Sequence, residues 1–122
     1  MDRETVRDWV AGYERAWRAP GTEGLAALFA PDASYRMDPY REPVVGLPAI
    51  AKLWDRERDP DEVFTLDSEV VAVDGDAAVV RTHVHYGAPH PQEWRELWVL
   101  RFDPSGRCTA FDEWPYAPPA TG

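Results

Sequence analysis

Cysteine is almost missing from this sequence. Cys108 stands alone, which excludes an intramolecular disulfide and gives no support to a cysteine-based zinc site. Placed among strand residues, a lone thiol is expected to be a small packed group. Long apolar runs are missing as well: nowhere do about 18 apolar residues follow one another, so no membrane-spanning helix is expected. The start, Met1-Asp2-Arg3-Glu4, is charged and has no apolar stretch behind it, unlike a secretory leader, and a soluble, cytoplasmic protein is the expectation. Positive charge is scarce. Thirteen basic residues face 22 acidic ones for a net charge of −9, and the basic residues are scattered, so neither nucleic acid nor an anionic membrane is an expected partner. A glycine-rich phosphate loop, a dinucleotide fingerprint and a Ser-His-Asp order are absent too, which removes phosphoryl transfer and redox catalysis from the reading.

Aromatic residues, by contrast, are abundant: fifteen in 122 residues, six of them tryptophan. That number suits a pocket or a subunit interface as well as a core built from short strands. The length fits one domain, expected over 1–116, which removes roughly two-thirds of its unfolded surface from water. Residues 117–122, rich in proline and small residues, are expected to be a loose tail.

Hydrophobic spacing divides the chain in two. Val6, Trp9, Val10, Tyr13 and Trp17 recur at helical intervals until Pro20-Gly21. Thr22 is placed to cap a second, shorter helix with Leu25, Leu28 and Phe29 on its inner face. An extended piece from Ala33 to Met37 then enters Asp38-Pro39-Tyr40-Arg41-Glu42-Pro43, where two prolines exclude a helix. Pro48 suits the first turn of a third helix that buries Ile50, Leu53 and Trp54. From Val63 the period becomes two, and strands are predicted over Val63–Val73, Ala77–Tyr86, Glu93–Phe102 and Arg107–Trp114. Asp74-Gly75-Asp76, Gly87 to Pro91 and Asp103-Pro104-Ser105-Gly106 read as their connections. Helices followed by an antiparallel meander give an α+β fold.

This order of elements, with Leu28-Phe29-Ala30-Pro31-Asp32-Ala33 and Gly46-Leu47-Pro48-Ala49-Ile50, resembles the nuclear transport factor 2-like superfamily and its SnoaL-like branch. The resemblance implies a cone: three N-terminal helices packed on a curved, mostly antiparallel sheet around a small-molecule pocket. Between Tyr13 and Pro43 the chain is most similar to the Δ5-3-ketosteroid isomerases. Tyr13 corresponds to their oxyanion tyrosine, and Asp38-Pro39 followed by Glu42-Pro43 to the segment carrying their catalytic aspartate. The position of their protonated oxyanion aspartate is taken by Trp98, which departs from the pattern and argues against steroid isomerisation itself.

Strand parity, set by aligning Ala77-Ala78 with the small pair of those isomerases, turns Arg81, His83 and His85 toward the pocket. The same parity sends Val80, Thr82, Val84 and Tyr86 outward. It also places Trp94, Glu96, Trp98, Leu100 and Phe102 on the inner face of the next strand and Phe111 with Glu113 on that of the last. Catalytic candidates are therefore Asp38 as general base or acid, Tyr13 as oxyanion donor, and His83 and His85 as proton-transfer groups. Arg81, Trp54, Trp94, Glu96, Trp98, Phe111 and Glu113 are the candidate substrate-binding residues. Arg81 among carboxylates also resembles the Asp-Arg-Asp site of limonene-type epoxide hydrolases. A His-x-His pair with a nearby glutamate can ligate a metal, but spacing fixes no third ligand here, so neither metal nor cofactor is expected. The expected function is acid-base isomerisation, dehydration or cyclisation of a small oxygenated, partly apolar molecule. A non-catalytic ligand carrier and an epoxide hydrolase are the alternatives. An apolar outer strand face with Trp114 and Val84 leads to the expectation of a homodimer packed sheet to sheet.

Overall fold

The computed structural model of the chain describes residues 1–59, 62–88 and 90–119, so part of the loop at 87–91 and the end of the expected tail lie outside the described residues. Three helices and six strands follow one another as α1 (Arg3–Arg18), α2 (Leu25–Leu28), β1 (Phe29–Arg36), β2 (Val44–Val45), α3 (Leu47–Glu57), β3 (Phe64–Asp74), β4 (Ala77–Tyr86), β5 (Gln92–Phe102) and β6 (Cys108–Tyr116).

Helix α1 starts where the Asp2 carboxylate accepts a hydrogen bond from the Thr5 N–H at 2.8 Å, satisfying one of the free donors of the first turn. Its apolar stripe, Val6, Trp9, Val10 and Tyr13, is buried. Two arginines tie its ends to β3: Arg3 donates to the Val70 carbonyl, and Arg18 to the Phe64 carbonyl at 2.9 Å while its guanidinium lies 3.9 Å over the Phe64 ring. The Trp9 indole N–H donates to the Leu28 carbonyl at 2.9 Å, which joins α1 to the chain entering β1. The second helix is shorter than predicted. It lacks a side-chain cap, and Phe29 already has extended backbone and opens β1. Pairing of Phe29 with Cys108 in a neighbouring strand offers its backbone a ladder that continued helix cannot.

The sheet order is β2-β1-β6-β5-β4-β3. Strands β3 to β6 form the expected antiparallel meander, while β1 runs parallel to β6, so the sheet is mixed. Gly75, at φ 60°, supplies the left-handed residue of the β3–β4 hairpin. A register shift between Val70 and Ala72 inserts an extra residue into β3, a bulge that bends the strand under α1. The core lies between the concave face of this sheet and the three helices. There Tyr35 stacks on Phe111 with ring centroids 4.5 Å apart, and Phe111 stacks on Tyr13 at 5.4 Å.

The expected facing of β4 is reversed. Val80, Thr82 and Val84 are buried on the concave side, and Arg81 and His85 are exposed on the convex side with His83 half-exposed. The cause is hairpin register. Val80 pairs with Trp98, Thr82 with Glu96 and Val84 with Trp94, and directly paired residues share a face. Once Glu96 and Trp98 are inside, the even-numbered residues of β4 must be inside with them. Burying an arginine and two histidines in place of two valines and a threonine would also carry a large desolvation cost. Val84 is accordingly not part of the outer apolar face, whereas Trp114 is.

Candidate active site

A cleft of about 530 Å³ opens between α1, the loop after β1 and the concave face of β3 to β6. Its wall is set by alternation along the strands: Leu66 from β3, Val84 and Tyr86 from β4, Trp94, Glu96 and Trp98 from β5, and Glu113 from β6. Tyr13 and Trp17 close it from the helix, and Asp38 and Arg41 stand at the loop side. A volume of this size holds a molecule of ordinary metabolite dimensions.

Glu96 and Glu113 are the buried carboxyl groups of this wall. Oε1 of Glu96 accepts from the Trp98 indole N–H at 3.0 Å and from the Thr82 hydroxyl at 3.2 Å, so the charged form has two fixed donors. Glu113 has none of these donors. Burial first, then repulsion from Glu96, and a hydrogen bond shared with it push the Glu113 carboxyl well above the usual carboxylate range. Glu113 therefore holds its proton to higher pH than an ordinary carboxyl, and that proton is directed toward Glu96.

Behind this pair lies a hydroxyl couple. Tyr13 and Tyr35, both buried, place their phenol oxygens 2.7 Å apart. Burial raises both phenols well above 10, Tyr13 with a further rise from Tyr35 and both with one from Glu113, so both stay protonated. Two O–H groups share one mutual bond, which leaves one hydrogen free for another acceptor. The buried Trp54 indole N–H has no hydrogen-bond partner among the described residues.

Asp38 reaches the cleft from a turn. Its Oδ1 accepts the Tyr40 N–H at 2.8 Å and its carbonyl the Arg41 N–H at 3.0 Å, with Pro39 fixing the bend between them. The side chain is half-buried at the cleft edge.

Of the residues singled out in the sequence, the cleft gathers Asp38, Tyr13, Trp94, Glu96, Trp98 and Glu113. Trp54 and Phe111 do not line it; they are 1 % and 0 % exposed and pack behind its wall. Arg81, His83 and His85 lie on the convex face, where Arg81 sits 3.6 Å from Glu69 and both histidines meet Glu93. The hydrogen bond from His83, at 2.7 Å, is the main cause that lowers the Glu93 carboxyl. Sequence reasoning missed Tyr35 and Thr82. Both were reachable, Tyr35 from its alternation with Ala33 along β1 and Thr82 from its register with Glu96.

No curated protein matches the sequence. Among solved structures, an LEH-like epoxide hydrolase from M. tuberculosis is similar at 18% identity, with 93% of this chain and 83% of that one covered and a TM-score of 0.72. A ketosteroid isomerase-like protein from Erwinia carotovora atroseptica superposes over 95% of this chain and 97% of its own at 20% identity, with a TM-score of 0.67. A computationally designed 17-OHP binder shares the fold at 19% identity, with 90% and 89% covered and a TM-score of 0.72. At these identities the likeness speaks for the fold, whereas the SnoaL-like domain family matches residues 6–111 directly. With its three helices and six-stranded open mixed sheet, the chain belongs to the SnoaL-like domain family of the NTF2-like superfamily.

Proposed function

We propose that the chain is a cofactor-free acid-base enzyme that moves a proton next to a carbonyl in a small, partly apolar, oxygenated molecule. The observation that carries this reading is the buried Glu113 on the wall of a cleft that also holds Asp38 and Tyr13, with burial and Glu96 pushing its carboxyl well above the usual range. A neutral carboxyl is a hydrogen-bond donor whose bond strengthens as an acceptor oxygen gains charge. Glu113 pairs across the ladder with Trp98. It therefore supplies from β6 the acid that the isomerase pattern carries at the position of Trp98 on β5. In this scheme Asp38 takes the proton from carbon and returns it, the free hydroxyl of the tyrosine couple holds the enolate oxygen, and Glu113 turns its single O–H from Glu96 to that oxygen as charge develops there. Trp94, Trp98, Val84 and Leu66 exclude water and contact the apolar part. Isomerisation, dehydration and aldol-type cyclisation share this step.

The epoxide-hydrolase alternative is the weaker one, because the arginine assigned to it, Arg81, faces away from the carboxylates, and Arg41 at the cleft is exposed. A carrier without chemistry is favoured by one observation: the Asp38 carboxylate is already engaged by the Tyr40 N–H, the geometry of a turn former. Exchange of α-hydrogens in D₂O, followed by proton NMR over a panel of cyclic enones and β-diketones, separates the two. Catalysed exchange that falls by about 10²–10⁴ in Asp38→Asn supports the enzyme. Saturable binding with no exchange by any compound supports the carrier. The exposed apolar residues Leu97, Val99 and Trp114 on the convex face support a back-to-back homodimer as the assembled form.

A further inference from the structure

The convex face carries a second cluster that the cleft does not use. His83 and His85 stand two residues apart on β4, on one side of the strand, and their ring centroids are only 4.4 Å apart. Glu93 lies directly opposite His85 on β5. Its carboxylate reaches both rings: Oε1 is 2.7 Å from the His83 Nε2 and Oε2 is 3.4 Å from the His85 Nε2. One ligand atom from each of the three residues can be chosen so that all lie within 4.8 Å of one another.

We propose that His83, His85 and Glu93 form a site for a divalent transition metal on the face of the sheet opposite the cleft. A tetrahedral zinc ion with bonds of about 2.0–2.2 Å requires ligand atoms about 3.3 Å apart. The His83 and His85 contacts with Glu93, at 2.7 and 3.4 Å, bracket that value. Two imidazoles and one carboxylate are the donor set that zinc, nickel and copper favour, while magnesium and calcium prefer oxygen donors alone. His83 and Glu93 are each 30% exposed at the side chain and His85 53%, which leaves room for water to complete the coordination. At His83 and His85 strand β4 is paired on both sides, and at Glu93 strand β5 is paired with β4, which holds the backbone of the three residues in register. Asp67, opposite His83 on β3, adds negative charge nearby. Arg95 opposes the ion: its Nε lies 3.5 Å from Glu93 Oε1, but the side chain is 75% exposed and free to leave.

Calorimetric titration of the full chain with Zn²⁺, after EDTA treatment and dialysis, tests the assignment. One ion per chain is expected, with affinity reduced about tenfold or more in each of His83→Ala, His85→Ala and Glu93→Gln. Arg95→Gln binds at least as tightly as the parent, and Mg²⁺ gives no comparable binding. Because all four side chains are at the surface, the melting temperatures of the metal-free variants should stay close to that of the parent, which separates ligand loss from unfolding. Failure of Zn²⁺ to bind at ~1 mM would overturn the proposal, and so would binding that survives removal of either histidine.

Discussion

Trp98 and Glu113 face each other across the β5–β6 ladder, and on the same wall the Trp98 indole N–H bonds to Glu96. One aromatic residue thus anchors one member of a carboxyl pair, while its cross-strand partner is the member whose proton is held more tightly than usual. The asymmetry is physical. Glu96 has two fixed donors, whereas Glu113 has burial and a neighbouring charge.

Glu113 makes stability fall as pH rises. Its folded carboxyl titrates well above 4.5, so between that value and its raised one the native chain holds a proton the unfolded chain has released. The unfolded state then binds fewer protons, and the contribution of Glu113 is lost with a slope of at most about 1.4 kcal/mol per pH unit. Urea unfolding of the parent and Glu113→Gln between pH 5 and 8 should show the variant gaining relative stability with pH. A pH-independent difference would contradict the assignment.

Tyr35→Phe leaves the buried Tyr13 hydroxyl without its 2.7 Å partner, at an expected cost of about 1–3 kcal/mol. The double variant with Tyr13→Phe should lose less than the sum of the two single variants, since the second substitution removes the orphaned group. Additive losses in chemical denaturation would show that the couple contributes nothing as a pair.

The helical stripe, the Pro48 helix start, the meander and its turns at Asp74-Gly75-Asp76 and Asp103-Pro104-Ser105-Gly106 were legible in the sequence because each has a local cause: a period, a cap or a turn residue. The facing of β4 was not. Arg81, His83 and His85 alternate as cleanly as Val80, Thr82 and Val84, so parity defines two faces without saying which is inside. The hairpin register holds that information. Pairing Thr82 with Glu96 binds the two strands to one choice, and the apolar Val80 and Val84 agree with it. The acid-bearing cleft was partly legible for the same reason, since Glu96, Trp98 and Glu113 follow one parity on β5 and β6. That one of two glutamates would retain its proton depends on which of them receives the Thr82 and Trp98 donors, and spacing does not encode this.

Cys108 is buried, and burial pushes its thiol up to about 12. The native protein should therefore react slowly with a thiol reagent such as DTNB, and one thiol per chain should appear promptly in guanidinium chloride. Rapid labelling of the native chain would place Cys108 at an accessible surface.

The convex apolar patch predicts a dimer that a single charge disrupts. Sedimentation velocity should report a dimer for the parent and a monomer for Leu97→Asp, because Leu97 is 42% exposed at the middle of β5 with Val99 and Trp114 beside it. A parent that sediments as a monomer at high concentration would remove the back-to-back assembly.

The protonation of Glu113 itself is the most direct measurement. A titration of side-chain carboxyl ¹³C shifts, with Glu113 assigned by its disappearance in Glu113→Gln, should show this group titrating well above 4.5. A Glu113 signal that titrates near 4.5 would contradict the account, because Glu113 would then offer no carboxyl donor to a developing oxyanion.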